Sequence, residues 1–199
     1  LPEKENFKNY IKRIPMGVSF IIAPWNYPYL TSVNSIIPSL AAGNSVILKH
    51  SAQTPLCAEQ LYESAKKTLP NNTFNYLHLN HNDSLKIVSD KRIGFVSFTG
   101  SVSAGYEVQK STMNKFISIA LELGGKDPAY VRHDADLENT VENLVDGSFF
   151  NSGQSCCGIE RIYVDKKIYN NFLELFIDKT YSYKLGNPLK EDINLGPVV

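Results

Sequence analysis

The sequence has no surplus of charge: across 199 residues, 20 Lys and Arg balance 20 Asp and Glu. That balance excludes a general binder of nucleic acid or anionic membrane, which needs a basic surplus. Cysteine is scarce, with only Cys57, Cys156 and Cys157. Three thiols make no disulfide framework, so a reducing, cytoplasmic setting is expected. Long apolar runs are missing too. The stretch closest to one, Met16 to Trp25, contains a serine and a proline and falls short of the roughly 20 residues a membrane span needs. No basic-then-apolar leader pattern opens the chain, no Cys/His set has metal-ligand spacing, and there is no internal repeat or low-complexity tract. What remains, 43% hydrophobic and 20% charged residues, is a globular composition and excludes wholesale disorder. Leu1 in place of a methionine, and an apolar ending at Gly196-Pro197-Val198-Val199 that reads as a strand cut short, suggest a fragment.

Short β-branched runs alternate with helix-period segments. Gly17 to Ala23 (GVSFIIA) lies between Pro15 and Pro24 and reads as a buried strand. Leu30 to Ala42 reads as a helix stopped by Gly43. Ser45 to Lys49 (SVILK) is the next strand. Thr54-Pro55 offers an N-cap and a first-turn proline to a helix carrying Cys57, Leu61, Ala65 and Leu69 on one face, which puts Cys57 in the core. Strands over Thr73 to Leu79, Ile93 to Phe98 and Phe116 to Leu121 then alternate with helices over Asn82 to Ser89 and Val102 to Lys110. After Gly124-Gly125 a second set begins. Asp127 to Val131 is extended, and Leu137, Val141, Leu144, Val145 and Phe149 mark one helix face. Ile162 to Val164 is a strand, and Tyr169, Phe172, Leu173 and Phe176 mark a last helix. This alternation predicts an α/β fold built on right-handed crossovers and a parallel, Rossmann-like sheet. The double glycine is the candidate hinge between a cofactor domain over residues 1–124 and the start of an α/β catalytic domain over 125–199.

Two stretches carry chemistry. Gly100 to Gly105 (GSVSAG) joins a strand to a helix, where glycines let the backbone approach a pyrophosphate; the same stretch serves equally as a tight turn. Asn151 to Cys157 (NSGQSCC) is a loop of small residues around a thiol. A good nucleophile there needs a pKa below the ordinary thiol value of about 8.5. Taken singly, Asn26 is readable as a turn residue and Glu122 as a solvated carboxylate.

Four motifs occur in one order: PWNYP (Pro24 to Pro28), FTGS (Phe98 to Ser101), LELGGK (Leu121 to Lys126) and FFNSGQSCC (Phe149 to Cys157). Together they resemble the aldehyde dehydrogenase superfamily over essentially the whole chain, although typical members are more than twice as long. The resemblance implies a nucleophilic Cys156, from the family pattern G-Q-x-C, with Cys157 as its neighbour. It implies Glu122 as the general base and Asn26 as an oxyanion donor. A thiolate adding to an aldehyde carbonyl makes a tetrahedral oxyanion, which N–H donors from Asn26 and the Cys156 backbone would stabilise. Oxidation leaves a thioester, and Glu122 would activate the water that hydrolyses it.

NAD or NADP is the implied cofactor. Its contacts would be Ile22, Ala23, Pro24, Trp25, Lys49, Ser51, Ala52, Gly100, Ser101, Gly105 and Leu123, with Lys49 reaching the adenosine ribose. NAD-preferring members usually carry a glutamate three residues after that lysine. Ala52 stands there instead, removing a charge that would repel a 2′-phosphate, so NADP is expected to be tolerated. His50 replaces the usual proline. The segment Leu77 to Asp83 (LHLNHND) departs from the family's glycine-rich pattern, and His50, His78 and His81 read as surface or loop histidines. Lys126 and Arg161 read as structural ion-pair partners. The stretch Lys49 to Pro55 (KHSAQTP) resembles semialdehyde-oxidising branches. A small-molecule aldehyde substrate is implied, with no nucleic-acid or membrane partner, and a homo-oligomer for the full-length chain. A CoA-acylating enzyme needs no water-activating glutamate, so Glu122 argues against it. A non-catalytic protein with this fold would have no use for Cys156, Glu122 and Asn26 together.

Overall fold

The computed structural model describes residues 7–199. The chain divides into two compact units, Leu1–Glu122 and Leu123–Val199, with the division falling just before the double glycine.

The first unit is a five-stranded sheet. Its strands are β1 (Val18–Ile22), β2 (Ser45–Lys49), β3 (Phe74–Tyr76), β4 (Ile93–Thr99) and β5 (Ser118–Glu122), in the order β3-β2-β1-β4-β5. Every pairing is parallel. β1 lies at the centre and is buried on both faces, as its unbroken apolar run requires: Phe20 is 0% and Ile21 2% exposed. β5 forms one edge, where half-buried and exposed residues alternate. The intended Thr73–Leu79 strand pairs only over Phe74–Tyr76.

Helices α1 (Pro28–Ala41) and α2 (Pro55–Ala65) make the crossovers from β1 to β2 and from β2 to β3. They bring Ile36 and Ala58 into one apolar cluster with Ile21, Val46, Leu48 and Phe74. Helices α3 (His81–Ser89) and α4 (Val102–Ser111) connect β3 to β4 and β4 to β5. These crossovers run in the opposite direction along the sheet, so their right-handedness carries them to its other face.

Local chemistry sets several boundaries. Gly43 has φ +84°, the left-handed conformation that ends α1. Asn44 is 3% exposed. Its Oδ1 accepts the N–H groups of Met16 (2.6 Å) and Gly17 (3.1 Å), and its Nδ2 donates to the Ser39 carbonyl (3.0 Å), which fixes the start of β1.

Three expectations need correction. Thr54 holds the N-cap position of α2 but makes no side-chain cap bond. Cys57 is half-buried and stands outside the apolar cluster; Ala58 enters it from that turn, while Leu61 and Ala65 of the expected face do pack against it. Leu69 lies beyond the end of α2 but still packs against the cluster.

The second unit pairs β6 (Asp127–Val131) in parallel with β7 (Ile159–Val164). Helices α5 (Leu137–Phe149) and α6 (Tyr169–Tyr181) pack around Val131, Val141, Val145 and Phe172. The Asp136 side chain caps α5 by accepting the Asn139 N–H, as its sequence position allows. Gly196 to Val199 are irregular rather than a strand; the one regular contact nearby is an isolated bridge between Leu185 and Leu195. Lys126 pairs with Glu160. Arg161 does not form an ion pair as expected; its Nη2 donates to the Lys126 carbonyl at 2.7 Å.

Candidate active site

In a parallel sheet all strands end at the same edge. The order β3-β2-β1-β4-β5 reverses direction at β1, and ligands of open α/β sheets bind beyond the carboxyl ends at such a reversal. Most of the cofactor-side and catalytic residues singled out in the sequence fall at this edge. Ile22 ends β1 and pairs with Lys49, which ends β2, and with Phe98 of β4. Ala23, Pro24, Trp25 and Asn26 follow β1; Ser51 and Ala52 follow β2; Gly100 and Ser101 follow β4. Glu122 ends β5 and pairs with Thr99. Backbone bonds continue the ladder past the strands: the Ala23 N–H donates to the Lys49 carbonyl and the Gly100 N–H to the Glu122 carbonyl, each at 3.0 Å.

The surroundings of these residues differ. Ile22 and Ala23 are buried, Asn26 is half-buried, and Ala52 and Glu122 are exposed. Lys49 is only 6% exposed. Burial pushes its ammonium pKa down, and no carboxylate is among the groups acting on it. A buried cation without a counter-charge is costly, and hydroxyl or phosphate oxygens of a ligand would relieve it. At Gly100 a Cβ would stand 2.7 Å from the ring of Phe98, so any side chain here would have to displace that ring. Ser101 caps α4 by accepting the Ala104 N–H. Gly105 is buried within α4, and its N–H is committed to the Ser101 carbonyl at 2.9 Å. It can let a neighbour come close but offers a ligand no donor. These features suit an extended anionic cofactor such as a dinucleotide: a desolvated cation, a glycine turn and a helix N-terminus on one sheet edge.

His50 departs from expectation. It is not a surface histidine but 2% exposed, with its Nε2 2.9 Å from the Pro28 carbonyl and its Nδ1 3.0 Å from Thr54 Oγ1. The bond explains why Thr54 leaves its helix uncapped. No periodicity marks a single histidine at a strand end; the one sequence signal was its place between two cofactor-side residues. His78 and His81 are exposed as expected, and His78 pairs with Glu59 at 2.9 Å.

The second unit presents the cysteines. A short 3-10 turn, Phe150–Gly153, precedes them. Asn151 (φ 52°), Ser152 (φ 58°) and Gly153 (φ 73°) form a consecutive left-handed run. For the two non-glycine residues this conformation costs on the order of 1–3 kcal/mol each. Side chains hold it: Ser152 Oγ donates to the Gly196 carbonyl (2.7 Å), Gln154 Nε2 donates to the Asn151 carbonyl (3.0 Å), and Gln154 Oε1 accepts the Val199 N–H (2.7 Å). Cys156 and Cys157 follow, both exposed, and Ser155 Oγ lies 3.2 Å from Cys157 Sγ.

The Cys156 pKa is pushed up, first by partial desolvation and then by the Cys157 thiol. The lowering that a nucleophile needs is therefore not provided by the neighbours of the sulfur. Gly125 passes close to this turn. A Cβ there would lie 2.5 Å from the Cys156 carbonyl oxygen and 2.7 Å from Asp127 Oδ1, whereas a Cβ on Gly124 would meet nothing within 4 Å. Gly125 thus serves a close approach. Leu123, implied as a cofactor contact, is half-buried where the second unit begins.

Among the described residues no group of His, Cys, Asp or Glu is arranged to hold a metal ion, and no helix is long and apolar enough to cross a membrane.

The aldehyde dehydrogenase family model matches residues 1–199. The D-glyceraldehyde dehydrogenase (NADP(+)) of Picrophilus torridus is 34% identical over 94% of this chain and 38% of its own length. The peroxisomal aminoaldehyde dehydrogenase 1 of Pisum sativum is 36% identical over 98% of this chain and 39% of its own. Among solved structures, 3,6-anhydro-L-galactose dehydrogenase in complex with NAP superposes with a TM-score of 0.88 at 34% identity, covering 92% of this chain and 39% of that one. A betaine aldehyde dehydrogenase of Staphylococcus aureus in complex with NAD+ gives 0.88 at 36% identity, covering 92% and 38%. The chain thus spans about two fifths of the length of the curated relatives it matches.

Proposed function

The chain belongs to the aldehyde dehydrogenase family, and from that premise we propose that it oxidises a small-molecule aldehyde to a carboxylate with NAD or NADP, through a thioester on Cys156. The observation that carries this reading is the carboxyl edge of the first sheet. Four strand ends deliver Ile22 to Asn26, Lys49 to Ala52, Gly100-Ser101 and Glu122 to one side of the sheet, at the point where the strand order reverses.

The roles follow from what each side chain can do. The Cys156 thiolate adds to the carbonyl carbon, and the π-electron pair moves to oxygen. The Asn26 side-chain amide and the Cys156 backbone N–H donate hydrogen bonds to that oxyanion. The bound nicotinamide dinucleotide supplies the two-electron acceptor that the oxidation requires. Glu122 then takes a proton from water as the water attacks the thioester; the C–S bond breaks, the carboxylate leaves and Cys156 returns as thiolate. Lys49 holds the adenosine ribose, with Ser51 and Ala52 beside it and Gly100, Ser101 and Leu123 as further contacts. Ala52 brings no carboxylate, so NADP is accepted. The chain boundary between cofactor and catalytic domains lies at the double glycine. The free thiols suit a reducing compartment such as the cytoplasm, and the complete protein is a homo-oligomer.

The test uses the complete protein with a panel of aldehydes that includes semialdehydes. Reduced cofactor is followed by absorbance, and the product is identified with and without CoA. Cofactor reduction with release of free carboxylate, lost in Cys156→Ala, is the expected result. Formation of acyl-CoA only, or no aldehyde-dependent reduction with either cofactor, overturns it.

A further inference from the structure

We propose that His50 is a positioning residue that ties the turn carrying Asn26 to the strand end carrying Lys49, so that the oxyanion donor and the cofactor-binding edge keep one geometry. The inference rests on the proposed function for the roles of Asn26 and Lys49; the clamp itself rests on hydrogen bonds.

His50 follows the last residue of β2 and is 2% exposed. A carbonyl oxygen can only accept, so the 2.9 Å contact with Pro28 requires Nε2 to carry the proton. Nδ1 then has a lone pair, and Thr54 Oγ1 at 3.0 Å donates to it. Both ring nitrogens are thereby used, which fixes a single tautomer. Pro28 opens α1 two residues after Asn26, and its carbonyl also accepts from Ser32 Oγ at 2.7 Å. Thr54 opens α2 just after Ser51 and Ala52. One imidazole therefore joins three segments: the turn after β1, the end of β2 and the start of α2. A proline, which the family resemblance places at this position, has neither a ring donor nor a ring acceptor and could not make these bonds.

The clamp does not depend on protonation. Cationic His50 would present an Nδ1–H to the Thr54 hydroxyl, whose oxygen can accept it, so that bond would reverse direction and not be lost. Burial lowers its pKa most strongly, and Lys49 beside it and His78 beyond β3 add to the lowering, while the backbone of Pro28 and of Ser51 push the other way. His78 is itself paired with Glu59 of α2. The neutral form therefore holds at neutral pH.

The test compares His50→Leu and His50→Gln in the complete enzyme. Leu removes both bonds, whereas the Gln amide still donates toward Pro28. His50→Leu should lower kcat about 10- to 100-fold, the scale of an ångström-level misplacement. His50→Gln should recover most of it. Full activity in His50→Leu, or equal losses in both variants in step with their melting temperatures, overturns the proposal. Should His50→Leu fail to fold, nitrogen-15 histidine NMR of the parent decides. A neutral, Nε2-protonated ring with a slowly exchanging proton is expected, and a rapidly exchanging ring proton at neutral pH refutes the clamp. A parent enzyme with the expected NMR signature and no aldehyde oxidation would overturn the proposed function instead.

Discussion

Gly124 and Gly125 are neighbours with opposite consequences for substitution. A Cβ on Gly125 would meet the Cys156 carbonyl oxygen at 2.5 Å and Asp127 Oδ1 at 2.7 Å. Carbon–oxygen contacts settle no closer than about 3.3 Å, so Gly125→Ala must push the cysteine turn away by a distance on the order of 1 Å. The Asp127 carboxylate can rotate aside, but the Cys156 carbonyl is backbone and moves only with its loop. Overpacking of this kind costs about 1–3 kcal/mol, which lowers the melting temperature by roughly 2–12 °C for a chain of this length. Displacing the nucleophile by about 1 Å should cost activity on the order of a hundredfold. Gly124→Ala meets nothing within 4 Å and Gly124 does not have a positive φ, so its stability should stay within about 0.5 kcal/mol of the parent. Differential scanning fluorimetry, with the rate of aldehyde-dependent cofactor reduction, measures both. If Gly124→Ala were the more damaging substitution, the pair would act as a hinge and the close-approach argument would be wrong.

Four further outcomes are expected. Cys156→Ala abolishes turnover while Cys157→Ala keeps most of it; in the cofactor-free parent, iodoacetamide alkylation of Cys156 rises with pH along a curve displaced to higher pH than that of a free thiol, because the raised pKa delays thiolate formation. Glu122→Gln leaves a burst of reduced cofactor followed by a slow phase, since hydrolysis needs the base and the burst does not; equal loss of burst and steady state would remove Glu122 from hydrolysis. Ala52→Glu shifts preference from NADP toward NAD by on the order of 1–3 kcal/mol, read from kcat/KM with each cofactor, and a parent that already strongly prefers NAD counts against the argument. Lys49→Met raises the melting temperature of the cofactor-free protein by removing a desolvated charge, yet weakens cofactor binding measured by calorimetry; a lower melting temperature would show that the ammonium is already satisfied within the fold.

The sheet was readable because its strands are β-branched runs bounded by proline and glycine. Ser45–Lys49 matches residue for residue, and Gly43 stops α1 where its position implies. Segments with weaker patterns moved. Thr73 to Leu79 alternates along its length, but only Phe74–Tyr76 finds a partner strand, because alternation reports a face and not a neighbour. Leu69 keeps the spacing of α2 and yet lies beyond it. Of the four residues marking α6, Phe172 and Phe176 pack in the core as expected, whereas Tyr169 and Leu173 are exposed. At the site, the strand-end residues were legible because motif and strand boundary coincide. His50 was not, since its bonding depends on Pro28, 22 residues earlier in the chain. Nor was the raised Cys156 pKa, since desolvation of a loop sulfur depends on how the loop folds over it.

Some of the features that cost stability lie where the motifs are, while others, such as the close approach of Gly94 to the Met16 carbonyl and the left-handed Asn72, lie elsewhere. Asn44, Ser39 and Ser19 are also buried polar residues, but Asn44 makes three hydrogen bonds and Ser39 donates to Ser19 at 2.6 Å, so the fold itself accounts for them. Lys49 is as deeply buried and pairs with no carboxylate among the described residues. Asn151 and Ser152 hold left-handed backbone that their neighbours stabilise but do not require for the packing of Val141, Val145 and Phe172. Gly100 and Gly125 each leave room that any other residue would fill. A sequence selected only to fold would relieve such features, by a neutral side chain at position 49 or a glycine at 151 or 152. Under the proposed function, a bound cofactor at the sheet edge of the first unit and a reacting thiol at Cys156 in the second would offset these costs.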